Sequence, residues 1–139
     1  NGYTLEGRTR IHMELIKGIR QVIGDKSLFA LRLGGCDYTV GGTTIEDAVW
    51  ACRRFEEAGV DLLDISGGTC CYARKGHNYP GYFGDISEAV KKEVHIPVLL
   101  TGGVRTVQDA EMLLKEEKAD MIGVGRIITA KPDWGMELI

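Results

Sequence analysis

At 139 residues, with 44% hydrophobic and 27% charged side chains, the chain has the size and balance of one globular domain able to bury a core. A net charge of -3 supplies no broad positive field, which sets aside nucleic acid and anionic membrane surfaces as partners. No apolar run approaches the roughly 20 residues that cross a bilayer, and residues 1–10 lack the apolar stretch of a signal peptide, so the expected address is cytoplasmic.

In chain order, a helix is expected over about residues 9–23, stopping near Gly24. A first strand follows at 28–33. From Ile45 the apolar positions Ala48, Val49, Cys52 and Phe55 recur at the i, i+3, i+4, i+7 spacing that lays one stripe along a helix. Thr43 with Glu46 three residues on marks that helix's start as an N-cap box. A second strand is expected at 61–66, then a long connection over 67–83, then a helical stripe of Ile86, Ala89, Val90 and Val94. A third strand falls at 96–101. Thr106 and Asp109 cap the next helix, whose stripe is Val107, Ala110, Leu113 and Leu114, and a fourth strand falls at 120–124. A further helix is expected after Pro132.

The four strand segments are nearly continuously apolar, the pattern of strands covered on both faces of a parallel sheet. Two units also repeat: Thr44-Ile45-Glu46-Asp47-Ala48 leads through a helix to Ala58-Gly59-Val60-Asp61, and Thr106-Val107-Gln108-Asp109-Ala110 leads to Lys118-Ala119-Asp120. Alternating strands and helices joined by short connections specify an α/β fold with right-handed crossovers, and the repeat favours a closed parallel (β/α)8 TIM barrel over an open sheet. Such a barrel takes about 250 residues, so the four βα units here amount to half of one. A half-barrel leaves its inner layer uncovered, so the expectation is a second copy of the chain, a missing N-terminal half or partial disorder, with a homo-oligomer as the expected assembly.

Glycines crowd the strand ends, where barrels of this kind bind their ligands. Gly34-Gly35, Gly67-Gly68, Gly102-Gly103 and Gly125-Arg126 follow the four strands in turn. The first two pairs read equally well as tight turns. Thr101-Gly102-Gly103-Val104-Arg105 and Gly123-Val124-Gly125-Arg126 instead fit a phosphate site, in which backbone N–H groups approach an anion and an arginine supplies a fixed positive fork. Arg32 interrupts an otherwise apolar strand and needs a partner there. Either it pairs with Asp64, which interrupts the neighbouring strand in the same way, or it contacts a bound electron-rich ring. In the 67–83 connection, His77 reads best as a solvated side chain, while the tyrosines are open to ring stacking or to an interface. Cys36, Cys52, Cys70 and Cys71 lack zinc-type spacing and read as free thiols, so no metal is expected.

The segments Tyr3-Thr4-Leu5-Glu6-Gly7-Arg8-Thr9-Arg10, Asp61-Leu62-Leu63-Asp64-Ile65-Ser66-Gly67-Gly68, Pro97-Val98-Leu99-Leu100-Thr101-Gly102-Gly103-Val104-Arg105 and Ala119-Asp120-Met121-Ile122-Gly123-Val124-Gly125-Arg126, with the strand around Arg32, resemble the C-terminal half of the old yellow enzyme family in order and spacing. The resemblance implies an FMN-dependent NAD(P)H oxidoreductase of the ene-reductase type, acting on a small-molecule substrate, with the four strands here the fifth to eighth of its barrel. It further implies that Arg32 faces the flavin ring, where a cation stabilises the reduced form, and that Gly102, Gly103, Gly125 and Arg126 hold the FMN phosphate. The family's substrate-gripping His-His or His-Asn pair belongs to the first half, so no catalytic residue is assigned here and the chain alone is expected to be inactive. Two other readings are a flavin-free barrel enzyme that binds a phosphorylated metabolite and a catalytically silent, self-associating half-barrel.

Overall fold

The computed structural model describes residues 2–70 and 73–138. Four parallel strands, β1 (Ala30–Gly34), β2 (Leu62–Ser66), β3 (Val98–Thr101) and β4 (Met121–Gly123), lie side by side in sequence order. Helix α1 (Leu5–Ile23) precedes the sheet, and α2 (Ile45–Glu57), α3 (Gly84–Lys91) and α4 (Val107–Lys115) form the crossovers. A short α5 (Arg126–Ala130) and a 3-10 turn (Trp134–Leu138) follow β4. Sequential parallel order with a helix in every crossover is the topology of part of a parallel α/β barrel.

The helix starts are written in side-chain chemistry. Thr4 accepts the Gly7 N–H at the start of α1, which begins at Leu5 and not near residue 9 as expected. At α2 the capping box is Thr44 with Asp47, one residue on from the expected Thr43 and Glu46, because it is the Asp47 carboxylate that reaches back to the Thr44 N–H. Thr106 and Asp109 form the same reciprocal box at α4. The two repeated segments are thus repeated caps.

Their downstream halves repeat as well. Asp61 accepts the Phe29 N–H at 2.7 Å and Asp120 accepts the Val98 N–H at 2.9 Å, so each aspartate fixes the entry of its own strand beside the strand before it. Each also receives a cation: Arg20 Nη2 lies 2.5 Å from Asp61, and Lys91 Nζ lies 2.6 Å from Asp120. Arg20 further donates to Gly59 O, Gly24 O and Ser27 O, tying the end of α1 to the starts of β1 and β2. Bonds from Arg20 and from the Phe29 N–H hold the Asp61 carboxyl below the usual carboxylate range. These clusters sit at the end of the sheet opposite the glycines, where such folds place their stabilising contacts.

One face of the sheet is covered. Leu63, Ile65, Val98 and Leu100 are completely buried against Phe55 and Cys52 of α2 and Ile86 and Val90 of α3. The other face carries Ala30, Arg32 and Gly34 of β1, all exposed, and Asp64, Ser66, Leu99, Thr101 and Gly123 beside them. Within the described residues only the helix-facing side is packed, and the other face is the uncovered inner layer expected of half a barrel. Leu62, Leu99 and Met121, which alternate with the buried positions, lie on this open face and make the strands read as continuously apolar. Further apolar surface stands open on α1, where Ile11, Leu15 and Val22 are exposed.

Trp134 is buried and its indole N–H donates to Arg105 O at 3.1 Å, which docks the last turn onto the loop after β3. The helix expected after Pro132 is this 3-10 turn, and the α-helical turn comes earlier, directly after Gly125.

On the outer surface Glu88 receives Lys118 Nζ at 2.5 Å and Lys92 Nζ at 2.7 Å, which takes its pKa from an ordinary 4.5 to about 2. A folded-state pKa below the unfolded one stabilises the fold above the unfolded value, and that contribution disappears as pH falls from about 4.5 towards 2. Glu88→Gln should therefore lower the melting temperature at neutral pH, and the difference from wild type should close progressively across that window. A difference that stays constant down to strongly acidic pH would show that the loss does not come from the carboxylate charge, and no difference at neutral pH would show that solvent screens the pair.

Candidate functional site

The C-terminal ends of β1, β2 and β3 and the loop after β4 surround a cavity of about 700 Å³. Arg32, Gly102, Gly103, Gly125 and Arg126 all line it, with Asp64, Thr101 and Tyr82 between them. Five separate stretches of sequence thus supply one concave surface.

Arg32 stands opposite Asp64 in the β1–β2 register, and its Nη1 lies 3.2 Å from Asp64 Oδ2. The ion pair weighed from sequence is present, yet 61% of the arginine side chain remains exposed on the cavity side of the sheet. Arg32 Nη2 also reaches Thr101 Oγ1 at 3.4 Å, and that hydroxyl donates its own proton to Ile65 O at 3.0 Å. A hydroxyl that has given its proton to a carbonyl accepts from the guanidinium, so the contact has a defined polarity. Burial pushes the Asp64 pKa up and Arg32 opposes that shift. Among the described residues Asp64 Oδ1 is buried with no hydrogen-bond partner, leaving this side of the cavity with acceptor capacity beside its cation.

The glycines differ in what demands them. Gly102 and Gly103 have φ of 120° and 76°, and a Cβ at Gly103 would lie 2.6 Å from the Tyr82 ring. Backbone conformation and an aromatic neighbour therefore both require glycine there. Gly34 is required by the close approach of its neighbour, since a Cβ would come within 2.9 Å of Gly68 Cα. Gly125 is another case: its φ is -130° and a Cβ would meet nothing within 4 Å. Neither strain nor packing asks for glycine at 125, and its missing side chain leaves the cavity wall open beside Arg126. Gly125 is also the N-cap of α5 and offers no side chain to the first N–H groups of that turn.

Several contributors escaped the sequence reading. Tyr82, in the 67–83 connection, is almost wholly buried within the chain rather than at an interface, and its hydroxyl accepts from Arg126 Nη2 at 3.0 Å. Asp37 accepts the Thr69 N–H at 2.6 Å and the Thr43 N–H at 2.7 Å, bracing the loops after β1 and β2, and these bonds hold its carboxyl below the usual range. Pro80-Gly81 before Tyr82 is a turn signal that could have flagged a buried anchor. His77 is half-buried and paired with the Tyr79 hydroxyl at 2.8 Å, apart from the cavity lining. Cys36 and Cys52 are free thiols, whereas Cys71 and Tyr72 lie outside the described residues.

The profile of the NADH:flavin oxidoreductase / NADH oxidase family matches residues 2–138. The chain belongs to this family. Its sequence motifs had pointed to the old yellow enzymes, and the family's curated members bear that out. The chain is 31% identical over 137 residues to an NADH oxidase of Thermoanaerobacter brockii, an alignment covering 96% of this chain and 21% of that protein. It is 34% identical over 133 residues to an NADPH dehydrogenase of Geobacillus sp. (strain WCH70), covering 96% of this chain and 38% of the relative. Among solved structures, a 2-naphthoyl-CoA reductase in complex with 2-naphthoyl-CoA superposes with a TM-score of 0.86 at 26% identity, over 97% of this chain and 21% of that one. The chain thus spans about one-fifth to two-fifths of the length of the relatives it matches. In this flavin oxidoreductase family the partial barrel described above is the shared fold.

Proposed function

We propose that the chain is the C-terminal half of the FMN-binding barrel of an NAD(P)H-dependent oxidoreductase of the ene-reductase type. The supporting observation is the convergence of Arg32, Gly102, Gly103, Gly125 and Arg126 on one cavity at the glycine-rich ends of the strands. The residues fit the cofactor: Gly125 leaves open space beside Arg126 where a side chain would otherwise stand, and a second arginine, Arg32, lines the same cavity.

In this assignment Gly102, Gly103, Gly125 and Arg126 hold the FMN phosphate, the glycines by letting backbone N–H groups come close and the arginine by its fork of donors. Arg32 presents a cation to the ring, its direction fixed by Asp64 and Thr101. Bound FMN supplies hydride transfer from NAD(P)H to an activated alkene or a related small-molecule acceptor. None of these residues is assigned to proton transfer or to gripping the substrate. The 139 residues alone are accordingly inactive, and the protein's working form contains the other half of the barrel in a cytoplasmic, self-associating enzyme.

The test is spectroscopic. The full-length protein carrying this chain should take up FMN, keep its oxidised-flavin absorbance through desalting, and lose that absorbance when NADH or NADPH is added without oxygen. A protein that stays colourless after incubation with FMN contradicts the assignment.

A further inference from the structure

We propose that Tyr82 is a positioning residue for the phosphate end of this cavity, its hydroxyl fixing the Arg126 guanidinium while its ring seats the Gly102-Gly103 turn. The inference rests on the FMN assignment above and adds to it a residue outside the glycine-arginine motifs.

Tyr82 is held on several sides. The preceding residue, Gly81, has φ of 67° and donates its N–H to Gly102 O at 2.8 Å, which joins the 67–83 connection to the end of β3. The Tyr82 carbonyl accepts from Arg74 Nη1 at 3.1 Å. Arg74 is itself fixed, 2.9 Å from Asp85 Oδ2 and with its guanidinium carbon 3.9 Å over the Tyr38 ring, and Tyr38 donates its hydroxyl proton to Asp85 Oδ1 at 2.8 Å. The Tyr82 ring stands edge-on to Phe83, their centroids 4.7 Å apart. A side chain 5% exposed and fixed in this way has little rotational freedom, so the position of its hydroxyl is set by the fold.

That hydroxyl meets Arg126, an exposed, rotamer-rich side chain on the first residue of a short helical turn. A buried tyrosine hydroxyl seeks a polar partner, and an arginine held in one rotamer loses less freedom when an anion arrives. The bond takes one N–H of a group that carries five, so it orients the guanidinium without exhausting it. The same ring lies where a Cβ on Gly102 or Gly103 would go, so Tyr82 shapes the glycine turn and aims the arginine from a single position.

The experiment compares FMN with riboflavin, which lacks the phosphate, by fluorescence titration of the full-length apoprotein. The ratio of the riboflavin to the FMN dissociation constant isolates what the phosphate contributes. Tyr82→Phe should lower that ratio about tenfold while leaving the riboflavin constant within about twofold, and Arg126→Ala should lower it further. Adding Tyr82→Phe to Arg126→Ala should have no added effect, because the tyrosine acts through the arginine. A Tyr82→Phe protein whose ratio is unchanged, or which loses both flavins equally, overturns the inference and leaves Tyr82 a packing residue. Failure of the underlying assignment looks different: Arg126→Ala itself then leaves the ratio unchanged.

Discussion

Replacing Arg126 by alanine should weaken FMN binding by the full-length protein on the order of 100- to 1,000-fold without unfolding it. Hydrogen bonds to charged groups contribute about 1.5–3 kcal/mol each, and an arginine fork on a phosphate makes two in parallel, so at the lower end of that range losing the pair corresponds to about 3–4 kcal/mol. The fold should tolerate the change. Arg126 is exposed, and its side-chain bond to Tyr82 leaves a phenol that retains access to the cavity. Surface substitutions of this type usually shift stability by within about 0.5 kcal/mol. Lysine should restore part of the affinity, since it returns the charge without the fork. Equilibrium dialysis of Arg126→Ala and Arg126→Lys, with the melting temperature of each, distinguishes this from a general loss of structure. An alanine variant that retains FMN as wild type does removes Arg126 from the phosphate site.

Phe83→Ala should be the most destabilising single change considered, lowering unfolding free energy by about 3–5 kcal/mol, the range for truncating a fully buried phenylalanine. Phe83 is 0% exposed and lies between the ends of β2 and β3. It contacts the Tyr82 ring edge-on and lies 6.2 Å from the Tyr38 ring at an interplanar angle of 14°. Its ring also occupies the space a Cβ would take at Gly67 and at Gly102, so truncation opens a void directly behind the glycine turn. Natural domains hold only about 5–15 kcal/mol in total, and the variant should sit close to the threshold of folding. Phe83→Leu keeps much of the volume and should lose clearly less. Urea unfolding of both variants reads this, and a loss under about 1 kcal/mol for Phe83→Ala would mean that the loop collapses to fill the space.

How much of this was legible beforehand differs by feature. The order of strands and helices followed from apolar periodicity, and the repeated Thr-x-x-Asp and terminal aspartates proved to be the same two devices used twice, a cap and a strand-entry clamp. The cap at α2 was displaced by one residue because Thr43 and Thr44 are adjacent, and only geometry decides which one turns its hydroxyl to the helix. That one face would be open followed from the count of four strands, whereas which strand residues lie on it did not, because Leu62, Leu99 and Met121 look like core residues in sequence and belong to the face that the described residues leave open.

At the cavity, the glycine and arginine positions were readable because they interrupt the apolar pattern at the strand ends. Their supports were not. Tyr82, Arg74, Asp85 and Tyr38 converge through loops from distant parts of the sequence, and no local spacing predicts that one arginine lies over Tyr38 while another bonds Tyr82. Arg32 and Asp64 show an intermediate case. Their unusual presence in apolar strands was plain, and their pairing followed from register once the strands were placed in parallel.

The central claim is spatial, and a crystal structure of the full-length protein with FMN tests it most directly. The account predicts the phosphate within hydrogen-bond distance of Arg126 and of backbone N–H groups at Gly102, Gly103 or Gly125, with the flavin ring extending towards Arg32. FMN bound with its phosphate elsewhere, or with its ring away from Arg32, would contradict it.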